Sequence, residues 1–105
     1  MPVSSLRITQ NTSTNLLPSA VTGTVTGDWF PLTYVQSKTI DIYISGAATV
    51  FIEVSNDPEQ NSTVNLSSAG GETASVGLEN DFPWKFIRAR VSAYTSGDVD
   101  VWVGA

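Results

Sequence analysis

The side chains able to do chemistry in this 105-residue sequence are carboxylates and aromatics, because it contains neither His nor Cys. In Ser55-Asn56-Asp57-Pro58-Glu59, two carboxylates and an amide share one loop, as a hard cation such as calcium requires. Calcium takes roughly six to eight oxygens, and no EF-hand spacing follows. An Asn-Asp-Pro turn accounts for the same residues, so no metal is expected. Glu79-Asn80-Asp81 precedes Phe82-Pro83-Trp84, a carboxylate pair beside an aromatic platform of the kind sugar hydrolysis employs. Nothing else in the sequence marks a carboxyl with a raised pKa, and loop acids are ordinarily solvated. Without imidazole there is no Ser-His-Asp triad and no His-ligated zinc; without thiol there is no cysteine nucleophile and no disulfide. The expectation is a protein that is not an enzyme and that needs no cofactor.

The aromatics point to binding instead. Trp84 and Phe86 fall on one face with Arg88 and Arg90, and Arg, Trp and Tyr are enriched at protein interfaces. Trp102 lies opposite a run of valines, Tyr43 opposite three isoleucines, and Phe51 shares a face with Thr49 and Glu53. Two readings stand side by side. The rings close the ends of the domain, or they form an apolar patch that a protein or a sugar covers. Sequons at Asn11, Asn61 and Asn65 carry no weight in a chain so rich in Ser and Thr.

The elements that must position these residues are strands. Thr39 to Ile44 and Thr49 to Val54 alternate apolar and polar residues, with Ile40, Ile42, Ile44, Val50, Ile52 and Val54 facing inward. Ile87, Ala89, Val91 and Ala93 share a face, as do Val99, Val101 and Val103. Weaker strands are expected over 20–25, 29–35, 62–67 and 73–78, with turn residues between them. Seven or eight short antiparallel strands make an all-β sandwich or jelly roll. A three-residue loop Thr95-Ser96-Gly97 is expected to close a hairpin that pairs Ala93 with Val99 and Arg90 with Trp102, laying the guanidinium on the indole.

Residues 1–18 are read separately from the sandwich domain at 19–105. They form a polar run with spaced apolar groups at Val3, Leu6, Ile8, Leu16 and Leu17. One reading is a frayed terminus or edge strand. The other is an extended arm that orders on a neighbouring subunit, so that its removal would leave the sandwich folded. With 5 basic against 10 acidic residues the net charge is −5, which disfavours nucleic acid as a partner. No apolar run is long enough for a membrane span, and the first residues lack a signal-peptide pattern, so synthesis in a cytoplasm is expected.

Ile52-Glu53-Val54-Ser55-Asn56-Asp57, Phe86-Ile87-Arg88-Ala89-Arg90-Val91 and Tyr94-Thr95-Ser96-Gly97 carry a resemblance. Their succession of strands and turns, over roughly residues 38–103, resembles small β-sandwich virion proteins of tailed bacteriophages, above all capsid decoration (cement) proteins. The resemblance implies a homotrimer on the capsid surface that joins neighbouring major capsid proteins. Val3, Leu6, Ile8, Leu16, Leu17, Trp84, Phe86, Arg88, Arg90 and Trp102 would then make the contacts. The family shares no catalytic residue, so none is transferred. Two alternatives remain: a carbohydrate- or receptor-binding module, marked by coplanar exposed tryptophans, and a tail or baseplate subunit.

Overall fold

The computed structural model describes residues 13–18, 21–32, 37–60 and 63–104, and every structural statement below concerns these. Strands β1 (Ser13–Asn15), β9 (Val99–Gly104), β4 (Lys38–Ile44) and β7 (Val76–Asn80) form one antiparallel sheet in that order. The second sheet runs β2 (Val25–Thr26), β8 (Phe86–Ser96), β5 (Ala47–Ser55) and β6 (Val64–Asn65), with β3 (Phe30–Pro31) also on β8. The described residues form an all-β sandwich. Counting β2 and β3 as one interrupted strand, the two sheet orders are those of an eight-stranded jelly roll.

One long ribbon makes the centre of both sheets. β4 pairs with β9 and β5 pairs with β8, and the register that matches Ile44 with Val99 continues as Ala47 with Ser96. The ribbon therefore bends as a unit from one sheet into the other. Ser45 N donates to the Asp98 carbonyl at 3.0 Å, and Asp98 N donates to Ser45 Oγ at 2.7 Å. The Tyr94 hydroxyl donates to the Gly97 carbonyl at 2.8 Å. At the bend two glycines meet backbone to backbone. A Cβ on Gly97 would stand 2.6 Å from Gly46 Cα, and one on Gly46 would stand 2.6 Å from the Ser96 carbonyl carbon. Gly97 also has φ of 92°, the left-handed region that other residues enter at a cost.

This bend replaces the expected hairpin. β8 and β9 lie in different sheets, so Ala93 does not pair with Val99, nor Arg90 with Trp102. A hairpin and a sheet-crossing arch present the same alternation, so period two could not separate them. Ala93 is corrected as well. The β5–β8 register shifts between Thr49 and Val50, leaving Ser92 without a partner, and this bulge turns Ala93 out to solvent. Tyr94 packs against the core in its stead.

Inward alternation otherwise holds. Ile40, Ile42, Ile44, Val50, Ile52, Val54, Ile87, Ala89, Val91, Val99, Val101 and Val103 are all buried between the sheets. Leu16 and Leu17, each 6% exposed, join them, and Leu16 N donates to the Val101 carbonyl at 2.7 Å. Residues 13–18 thus belong to the sandwich, and a cut at 18 would strip an edge strand and two core leucines. The arm boundary expected there is corrected accordingly. Val3, Leu6 and Ile8 lie outside the described residues.

Because the bend admits no side chain, Gly97→Ala is expected to cost at least about 2 kcal/mol, from left-handed strain of ~1–2 kcal/mol plus the overlap. Gly70→Ala, where a Cβ would meet nothing, is expected to stay within about 0.5 kcal/mol of the parent. Urea denaturation measures both, and equal midpoints would show that the corner tolerates a methyl group.

Candidate docking faces

Arg88 and Arg90 alternate with buried Ile87, Ala89 and Val91, so the pleat forces them onto the outer face of the β5–β8 sheet. Phe51 and Glu53 reach the same face because Val50, Ile52 and Val54 fill the core. Register places Glu53 opposite Arg88 and Phe51 opposite Arg90. Arg88 Nε donates to Glu53 Oε1 at 2.8 Å and Arg90 Nε to Glu53 Oε2 at 3.3 Å. Each guanidinium also lies over a ring, Arg88 at 4.3 Å from the Trp29 centroid and Arg90 at 4.5 Å from that of Phe51. Glu53 is only 8% exposed under this cover. Charge and ring demands are met internally, which makes this face a brace more than an open site.

The opposite sheet presents an open face. Tyr43 is 50% exposed and Trp102 44% exposed. Register sets Tyr43 opposite Asp100 and Trp102 opposite Asp41, so rings and carboxylates occupy alternate corners of a two-by-two array. Asn15, beside Trp102, donates from Nδ2 to Asp100 Oδ1 at 3.2 Å, while its Oδ1 accepts from Leu17 N at 3.1 Å. Both rings and both carboxylates thus stand on the outer side of this sheet.

A third feature closes one end of the sandwich. Lys38 shares the inward face of β4 with Ile40 and is 3% exposed. Its Nζ donates to the Phe82 carbonyl at 2.6 Å and to Asn80 Oδ1 at 3.3 Å. Burial lowers the pKa of this ammonium below 10.5, and the Asp81 carboxylate opposes that shift. Next to it Phe82, 66% exposed, lines a depression of about 360 Å³ with Asn56, Pro83 and Trp84. Trp84 Nε1 is buried and has no hydrogen-bond partner among the described residues.

The structure therefore divides the residues that alternation alone had grouped. Arg88, Arg90 and half-buried Phe86 belong to one sheet, Trp102 to the other, and Trp84 packs partly against the core at the sandwich end. Arg90 stacks on Phe51, not on Trp102. Trp84 packs partly against the core, whereas Trp102 stands exposed on the outer β4–β9 face. Trp29 and Asp41, which sequence reasoning left out, take part in these faces. Cross-strand register was the missing signal for Asp41, and a long-range contact for Trp29. No group of three or more His, Cys, Asp or Glu side chains able to hold a metal occurs among the described residues. Comparisons with protein-family models, with curated proteins and with solved structures find no match to this chain.

Two outcomes follow from this geometry. Glu53→Gln is expected to destabilise the fold by about 1–2 kcal/mol in thermal or urea unfolding. A charged hydrogen bond contributes ~1.5–3 kcal/mol, discounted here because both guanidinium groups are partly solvated. Lys38 governs a pH response of definite sign. Between its lowered folded pKa and 10.5 the unfolded chain binds more protons, so stability rises with pH through that window. Below the window both states are protonated and the desolvation penalty is constant. In Lys38→Met the alkaline rise is expected to disappear from the urea midpoint, and its persistence would assign the rise to another group.

Proposed function

We propose that the chain is a structural docking protein of a tailed-bacteriophage virion, bound to the outside of the capsid as a homotrimer that joins neighbouring major capsid proteins. The observation that carries this reading is the outer face of the β4–β9 sheet, where Tyr43 and Trp102 stand exposed beside Asp41 and Asp100. Large aromatics exposed together on one sheet face favour contact with another surface. The jelly-roll strand order adds support at the level of fold, since such sandwiches recur in viral capsid and lectin domains. The segments that carry the resemblance to decoration proteins, 52–57, 86–91 and 94–97, belong largely to the central ribbon. A small Cys-free sandwich also needs no oxidising compartment to fold.

Co-sedimentation with empty capsids of the encoding phage tests this reading, together with the solution mass by light scattering. The full chain is expected to pellet with capsids and to scatter as three times its 11.2 kDa mass. Trp102→Ala with Tyr43→Ala is expected to lower capsid retention at least tenfold while leaving the melting curve intact. A chain that stays in the supernatant at every ratio would overturn the proposal. Glycan-array binding that depends on Trp102 would replace it with the carbohydrate reading.

A further inference from the structure

The two outer faces carry two-by-two arrays of different composition: one ring, one carboxylate and two guanidinium groups on one sheet, two rings and two carboxylates on the other. On the β5–β8 side, Phe51 and Glu53 stand opposite Arg90 and Arg88, and each guanidinium both covers a ring and bonds to the carboxylate. On the β4–β9 side, Asp41 and Tyr43 stand opposite Trp102 and Asp100. Rings and carboxylates are present there, but no cation among the described outward residues of its strands. No Lys or Arg occupies an outward position of β1, β4, β7 or β9, and Glu79, opposite Thr39, adds a third carboxylate to the face. The hydrogen bond from Asn15 fixes Asp100 through Oδ1, which leaves its second oxygen to accept from elsewhere.

We infer that this face is completed by arginine side chains projecting from the surface of a partner protein, each guanidinium lying over Trp102 or Tyr43 while bonding to Asp41 or Asp100. The inference rests on the reading of this face as the docking face. A guanidinium fits better than an ammonium because it is planar, stacks on rings and presents its donors as a fork that matches a carboxylate. Charge complementarity selects the partner class. A neutral glycan would use the rings but leave three carboxylates without a counter-charge, and a phosphate-bearing surface would be repelled.

The test uses the full ¹⁵N-labelled chain and two capped glycine-spaced peptides, one with two arginines and one with two lysines in the same places. Arginine peptide is expected to shift the Trp102 indole N–H and the amides of 41–43 and 100–102, with affinity about two- to fivefold above the lysine peptide. Asp41→Asn, which keeps the shape of the side chain, is expected to weaken the arginine peptide by about two- to fivefold with an unchanged melting temperature. Equal response to both peptides, shifts centred on the β5–β8 face, or no shift at all would overturn the inference. Such a failure is separable from failure of the docking reading. If Trp102→Ala with Tyr43→Ala still abolishes capsid retention, the face docks and only the partner chemistry is wrong; if retention is unchanged, the face is not the docking face.

Discussion

One antiparallel ribbon, residues 38–55 against 86–104, supplies the central strands of both sheets and bends once, where Gly46 and Gly97 pack backbone to backbone. Its register carries from Ile44–Val99 across the bend to Ala47–Ser96, and shifts beyond it at Ala47/Ala48 and Thr49/Val50. The bend is what brings the inward residues of β4 and β9 together with those of β5 and β8 in one core. Shorter strands then add at the flanks: β1 and β7 on one half, β2, β3 and β6 on the other. If the two glycines could not meet, the halves could not close, and the valine and isoleucine faces would stay in water. At about 25 cal/mol per Å² of apolar area, that burial is the main favourable term available to a chain without disulfides.

The outer faces follow from the same ladder. Inward apolar residues at alternate positions leave the intervening side chains of each strand on the far side, and register decides which ones meet. Between β5 and β8 it sets two arginines against one glutamate and the Phe51 ring, giving a brace that holds Glu53 out of solvent. Between β4 and β9 it joins two rings to two aspartates and leaves them open. The two outer faces therefore differ: one joins its charged side chains to one another and to rings, and the other leaves its rings and carboxylates exposed, with no Lys or Arg beside them among the described outward positions.

Much of the fold was legible in the residue pattern. Three isoleucines in β4, three inward apolar residues in β5 and three valines in β9 are buried as their alternation requires. Tyr43 and Trp102 are exposed for the same reason. The expected hairpin at 95–97 and the expected stack of Arg90 on Trp102 failed together, because both assumed that strands adjacent in sequence are adjacent in a sheet. Ala93 failed separately. A bulge at Ser92 shifts the pleat by one residue, and nothing in the local run Val91-Ser92-Ala93 distinguishes a bulged from an unbulged strand.

Amino-acid order alone settled which face of β4, β5 and β9 is apolar, where the chain can turn, and that imidazole and thiol are absent from its side chains. These are properties of single segments, set by a period of two residues and by the chemistry of side chains present or absent. Which strands share a sheet, and therefore which outward side chains become neighbours, was settled by the folded arrangement. That choice depends on contacts between residues tens of positions apart, such as Gly46 with Gly97, Glu53 with Arg88 and Asp41 with Trp102. Alternation is blind to such contacts, because an arch and a hairpin bury the same face of the same strand.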